Sequence, residues 1–242
     1  MSASDSPLYI QISNQLRENI QAGRFQVGDK LPPESQLAQQ FGVNRHTLRQ
    51  AIALLRQEGS LRVDRGKGTF VAAAPIRYAI GRRVRYNQSM RSQGHATRFA
   101  MVHAVQLPAD DATSNGLSVE VGTPVASIER VSFIDEVPVS ISASYFPLSL
   151  FPDLLSTDST EQLKSLGSVS AWLRNRYDVD HIRRQTIVSA RIVRAKDAKL
   201  LALSLNQPIL LAESINEDQQ GRIIEYGVTR FRGDRMEMLF EN

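Results

Sequence analysis

"VNRHTLRQAIALLRQEGSLRVDRGKGTF", Val43 to Phe70, decides the reading of the N-terminal third of the chain. Leu48, Ala51, Ile52 and Leu55 recur at the spacing of one helix face, with Asn44 placed to cap the start and Gly59 to stop the end. Leu61 and Val63 then alternate with polar residues, Arg65-Gly66-Lys67-Gly68 turns, and Thr69-Phe70-Val71 returns, the pattern of a β-hairpin. At about 100° per residue Arg45, Arg49 and Arg56 fall within about 40° of one another and roughly 60–100° from Leu48. A basic stripe therefore runs beside the buried face of this helix.

Upstream, Ser6-Pro7 reads as an N-cap and first-turn proline, and Tyr9, Ile12, Leu16 and Ile20 follow at helical spacing until Gly23. Leu37, Ala38 and Phe41 mark a short second helix that Gly42 ends. Three helices and a hairpin predict a winged helix-turn-helix over residues 1–72. Charge agrees with this. Asn44–Gly68 holds six basic and two acidic residues, a balance equal to the whole chain's +4, whereas the chain after residue 75 has 20 basic and 19 acidic residues.

A charged helix stripe alone is ordinarily a solvated face. Together with the preceding short helix, the basic hairpin and the segregated charge, it points to double-stranded DNA. Arginine reads guanine through O6 and N7, so Arg45 and Arg49 are candidate readers, with His46 and Thr47 supplying shorter polar contacts. Lys67, between Gly66 and Gly68 at the hairpin tip, suits a phosphate or the minor groove. A nucleotide loop is the rival for "RGKGT", but the P-loop spacing is absent and no helix follows.

"AAAP" at 72–75 begins a linker, taken as residues 73–80, and a second domain follows over 81–242. Its strands are expected at 97–107, 124–134, 137–146, 182–193, 208–217 and 222–231, with helices at 110–117, 168–177 and 195–203. The fold class is α+β, around an antiparallel sheet. Alternation puts Arg130 on one face with Ala126, Ile128, Ser132 and Ile134, and Glu225 with Ile223, Gly227, Thr229 and Phe231. A buried arginine requires an anionic partner. Either Arg130 and Glu225 pair internally, or an anionic ligand completes the site and Glu225 takes an amine, a hydroxyl or an orienting role. Asn87, Gln88 and Ser89 open a short helix whose free N–H groups suit a phosphate or phosphonate, and Ser168 and Ser170 lie at another helix start.

"SPLYIQISNQLRENIQAG", "GDKLPPESQLAQQFGVNRHTLRQAIALLRQEG" and "VDRGKGTFV" resemble the DNA-binding domain of GntR-type bacterial regulators over residues 6–71. The resemblance implies DNA-contacting roles for Arg45, Thr47 and Arg49 and a wing at Gly66-Lys67-Gly68. Ser35 stands after Glu34 where many members carry a DNA-contacting arginine. Residues 78–240, with "IIEYGVTRFRGDRMEM", resemble the effector (UTRA) domain of the HutC branch, a fold similar to chorismate lyase. "FGVNRHTLRQAI" and "YNQSMRSQG" are similar to phosphonate-metabolism repressors within that branch. This likeness implies ligand-contacting positions at Arg130, Glu225, Ser168 and Ser170; Phe231 replaces a tyrosine of some relatives.

The chain has 242 residues and no cysteine, which excludes disulfides, thiolate metal sites and cysteine nucleophiles. The histidines at 46, 95, 103 and 181 lack metal-ligand spacing, and no G-x-S-x-G elbow occurs. No catalysis, metal or cofactor is expected. The start is not a signal peptide and no stretch approaches roughly 18 apolar residues, so a cytoplasmic protein without membrane partners is expected. The expected function is a homodimeric transcription repressor on an inverted-repeat operator, released by a small anionic metabolite, a phosphonate or phosphate ester. The alternatives are a sugar-phosphate or other small-acid effector, or a DNA-binding dimer with no effector.

Overall fold

The computed structural model describes residues 6–64, 66, 68–73, 75–84 and 86–240. Two compact units divide at Pro75 and Ile76. In the first, α1 (Leu8–Gln21), α2 (Glu34–Gln40) and α3 (Arg45–Gln57) precede an antiparallel hairpin of β1 (Leu61–Asp64) and β2 (Gly68–Val71). Ile12 and Leu16 of α1, Leu37 and Ala38 of α2, and Leu48, Ala51, Ile52 and Leu55 of α3 form one core with Leu61 and Val71. Apolar periodicity thus became packing as expected. Pro7, rather than Ser6, takes the N-cap position of α1 and makes no side-chain cap. The backbone of Gly28–Leu31 bonds along β2, with Lys30 bridged to Phe70, so the hairpin carries a short third strand.

The second unit holds β3 (Ile76–Ala79), α4 (Tyr86–Ser92), β4 (Thr97–Pro108), α5 (Asp111–Leu117), β5 (Pro124–Ile134) and β6 (Val137–Pro147), then α6 (Thr157–Leu166) and α7 (Val169–Tyr177). It ends with β7 (Ile182–Ile192), α8 (Ala195–Leu200), β8 (Pro208–Glu217), β9 (Ile223–Arg232) and β10 (Met236–Leu239). Six strands form an antiparallel sheet in the order β4-β5-β6-β9-β8-β7. β3 and β10 pair in parallel as a separate ribbon. The stretch read as a linker, 73–80, therefore contains a strand of the second unit, because Ile76, Tyr78 and Ile80 pack into its core.

Aromatic and aliphatic side chains of α6 and α7, with Trp172 and Leu163 fully buried, cover one end of a sheet face against Ala126, Ile128 and Phe146. α5 and α8 pack on the opposite face, through Leu117 against Tyr226 and through Ala198 and Leu201 beside Ile141. Gly116 is required where α5 crosses Tyr226, since a Cβ there would stand 2.4 Å from the ring. A register shift at Ile224 breaks the alternation of β9. Ile223 accordingly packs with Tyr226, away from the face expected for it beside Glu225, while Gly227, Thr229 and Phe231 keep the face of Glu225.

Candidate functional site

In the first unit, Asn44 caps α3: its Oδ1 accepts from the Thr47 N–H at 2.8 Å and from the Thr47 hydroxyl at 3.1 Å. Arg45 and His46 are exposed in the first turn, and Thr47 is half-buried with its hydroxyl engaged in the cap. The Arg49 side chain is 66% exposed, and its Nε donates to Glu34 Oε2 of α2 at 2.7 Å. Gly66 is exposed at φ +75°, and Gly68 lies at φ +119° where a Cβ would meet Lys30 Cε at 2.6 Å. Gly68 is thus fixed by its backbone conformation, while the end of the Lys30 side chain can move aside. Lys67 lies outside the described residues.

In the second unit a cavity of about 130 Å³ sits over the centre of the six-stranded sheet. The floor is open because the central rows carry small side chains: Ser144, Gly227 and Ser214 in one, Ser142, Thr229 and Ala212 in the next. Arg130 and Ser132 of β5 and Glu225 of β9 rise from the sheet; Ser168 and Ser170 enter from the start of α7. Tyr78, Ile80, Val84 and Asn87 close it from the segment that begins the second unit. Phe231 forms one end, in contact with Tyr78 and Tyr86 at ring-centroid distances of 6.1 and 6.5 Å.

Arg130 does not form an ion pair with Glu225. Its Nη2 donates to Ser144 Oγ at 3.1 Å, its guanidinium carbon lies 5.6 Å from the centroid of Phe99, and its buried Nε has no acceptor. Among the described residues no carboxylate stands within salt-bridge distance of it. Burial draws the guanidinium below its ordinary value and Glu225 opposes this, but arginine remains charged. Glu225 instead receives His181 Nε2 at 2.5 Å and Asn216 Nδ2 at 2.6 Å, both on Oε2. Burial alone would push its carboxyl up; the His181 charge and hydrogen bond, with Ser144 and Arg130, hold it down at about 2. Behind His181, Nδ1 meets Ser170 Oγ at 2.9 Å, and Ser170 donates to the Val84 carbonyl at 2.8 Å.

Arg183 adds a second cation. Its Nη1 donates to the Gly81 carbonyl at 2.5 Å and its Nη2 to the Tyr78 hydroxyl at 3.0 Å, while its Nε is buried without an acceptor. Ser168 caps α7, accepting from the Ala171 N–H at 3.3 Å, and also lines the cavity. Asn87 donates to the Gly167 carbonyl at 2.6 Å and lines it too. Gln88 and Ser89 do not: α4 turns them to a separate shallow depression with Gly81, Arg83 and Ser92, which removes them from the expected cluster. His181, Arg183 and Asn216 were not singled out by sequence. For Asn216 a signal existed in the alternation of β8, which places it with Ala212 and Ser214; His181 precedes its strand and carried none.

Residues 92–237 match the UTRA domain and residues 8–71 match the bacterial regulatory proteins of the gntR family. The chain is a GntR-family transcriptional regulator with a UTRA domain. This regulator is 35% identical to an HTH-type transcriptional regulator of Rhizobium meliloti, over 97% of its own length and 94% of that protein's. It is 32% identical to the HTH-type transcriptional repressor PhnF of Mycolicibacterium smegmatis, over 88% and 84% of the two chains. The crystal structure of PhnF from Mycobacterium smegmatis covers 96% of this chain and 98% of its own at 29% identity, with a TM-score of 0.66. Such proteins are regulators rather than enzymes, binding DNA through the first unit and small molecules through the UTRA domain. Among the described residues no helix of this regulator is long and apolar enough to cross a membrane.

Proposed function

We propose that this regulator is a homodimeric repressor whose paired heads bind an inverted repeat and whose UTRA cavity binds a small phosphonate or phosphate ester that releases the DNA. The observation carrying the effector reading is the pair Arg130 and Arg183: two buried Nε donors on one cavity, neither with an acceptor. Glu225 is engaged by His181 and Asn216 and makes no direct ion pair with Arg130. A buried guanidinium that the fold leaves short of acceptors is stabilised by an incoming anion, and a doubly charged head offers three oxygens to two arginines. Asn87, Ser168, Ser170 and Phe231 complete the lining; the similarity to phosphonate-metabolism repressors favours phosphorus over carboxylate.

On the DNA side Arg45, His46, Thr47 and Arg49 present the reading turn, with Gly66, Lys67 and Gly68 as the wing tip. Arg49 must leave Glu34 to reach a base. Both side chains are substantially exposed, so parting them costs about 0–1 kcal/mol. Two heads on one twofold axis match an inverted repeat, since each half-site repeats the other.

A hydroxylated anion such as a sugar phosphate is the second reading, favoured by Ser132, Ser140, Ser142, Thr186, Ser214 and Thr229 around the cavity. Operator DNA selected from random duplexes, followed by release titrations with alkylphosphonates, phosphate esters and sugar phosphates, tests the whole proposal. Equal affinity for operator and random duplex refutes the repressor, and operator binding unaffected by every anion refutes the effector site.

A further inference from the structure

The cavity makes a second demand, opposite in sign to that of its arginines. Asn216 is 3% exposed, and the orientation of its amide is fixed because Nδ2 donates to the Glu225 carboxylate. Its Oδ1 is therefore an acceptor only, and it is buried without a donor. Glu225 stands opposite Asn216 in the β8–β9 register and is itself buried. A carboxylate offers about four lone-pair sites. His181, Asn216 and Ser144 engage this one, which leaves room for a further donor. The cavity thus lacks acceptors at Arg130 and Arg183, and between these two in the strand order it lacks a donor at Asn216.

The spacing of Arg130 from Asn216 and Glu225 follows from the sheet. Arg183, Asn216 and Glu225 share a row; Ser144, Gly227 and Ser214 form the next; Arg130 starts from the row beyond and reaches back to Ser144. Ser144 Oγ accepts from Arg130 and bonds to Glu225, so the guanidinium stands about two hydrogen-bond lengths, roughly 6 Å, from the carboxylate. Beside that bridge Gly227 and Ser214 are small and leave the cavity open. A chain of two or three atoms between anion and donor spans that distance. An ammonium suits the donor end better than a hydroxyl, because it brings three N–H groups and a positive charge to a neutral acceptor beside an ionised carboxylate.

Resting on the anion-binding reading above, we infer that the effector is a zwitterion: a short phosphonate or phosphate ester whose ammonium group donates to Asn216 Oδ1 beside Glu225 while its anionic head takes Arg130. The test is calorimetric titration of the full chain with ethylphosphonate, 2-hydroxyethylphosphonate and 2-aminoethylphosphonate at one ionic strength. The amino compound should bind at least about tenfold tighter than either other, the range of one charge-assisted hydrogen bond. In Asn216→Ser the ratio of amino to plain compound should fall to about threefold or less. Wild-type affinities for amino and ethyl compounds within about threefold overturn the inference whether or not the variant folds, and so does a hydroxyl compound as tight as the amino one. Failure of all three to bind overturns the anion-binding reading with it.

Discussion

Replacing Arg130 by methionine separates a structural ion pair from a cation held for a ligand. If Arg130 stabilised the fold by pairing with Glu225, losing it would leave a buried carboxylate unpaired and cost about 3–5 kcal/mol. The geometry gives a different sum. Arg130 makes one hydrogen bond, to Ser144, worth about 1.5–3 kcal/mol for a charged donor, and a distant contact with the Phe99 ring worth about 0.5–1 kcal/mol. Against these stand the guanidinium's desolvation and its unpartnered Nε, about 1–3 kcal/mol, both relieved by an apolar side chain of similar length. Glu225 keeps His181 and Asn216. Arg130→Met should therefore change the stability of the ligand-free protein by no more than about 1 kcal/mol, a Tm change of roughly 2–4 °C. Ligand response should collapse. A phosphonate at 100 times its Kd adds about 2.7 kcal/mol to the wild type. Removing one partner of a buried charge contact costs about 2–5 kcal/mol of affinity, so the same concentration should give the variant no more than about a third of the wild-type Tm shift. Scanning calorimetry with and without phosphonate measures both quantities. A ligand-free variant destabilised by more than about 3 kcal/mol, or one that retains the full ligand shift, refutes the reasoning.

Arg49→Ala should abolish preference for operator over random duplex while leaving stability within about 1 kcal/mol, because its Glu34 pair is exposed; fluorescence anisotropy and a melt check the two halves. Lys67→Ala should instead weaken all duplexes alike and reduce the log–log salt slope by about one. Gly116→Ala drives a Cβ into Tyr226 and should cost about 1–3 kcal/mol, read as a lowered urea midpoint at unchanged m. Glu225 titrates at about 2 in the fold against 4.5 as an ordinary glutamate, so its contribution is complete above pH 4.5 and is lost as pH falls towards 2. Between those limits stability should drop by an amount on the order of 3 kcal/mol, and Glu225→Gln should flatten that limb.

Local periodicity made most of the fold legible. Leu48, Ala51, Ile52 and Leu55 announced α3 and its buried face, and alternating runs announced the six strands of the sheet, because each signal lies within one element. β3 and β10 were missed: four-residue strands in a parallel ribbon are stabilised by a partner about 160 residues away. α6 was missed although Ser156 caps it and Gly167 ends it at φ +66°, a readable pair of signals in a stretch of weak apolar pattern. The face of Arg130 was legible, but its partner was not. Alternation fixes which residues share a face and says nothing of which side chains reach one another. The Glu225 carboxylate is engaged by His181 from outside the sheet as well as by Asn216 on the neighbouring strand. The serines at 168 and 170 were legible as cap-position residues; that Ser170 links His181 to the Val84 carbonyl depends on a contact 86 residues apart.

The same contacts bear on how a ligand is felt beyond its cavity. The chain leaves the first unit at Pro75 and immediately supplies Tyr78, Ile80 and Val84 as cavity wall. Arg183 holds this segment through the Gly81 carbonyl, the Tyr78 hydroxyl and a backbone bond to Arg82, and Ser170 holds it through Val84. An anion on Arg183 therefore acts on a side chain already committed to that segment, either drawing the guanidinium away from Gly81 or locking it there. Each outcome changes how firmly the first residues after the head are held. If the proposed effector releases DNA through this segment, it must prefer one arrangement over the other, and moving the balance from 1:99 to 99:1 takes about 10⁴-fold preference, roughly 5.5 kcal/mol. On the proposed reading, Arg183 would contribute to that preference only as far as its contacts with the anion differ between the two arrangements of the segment it holds.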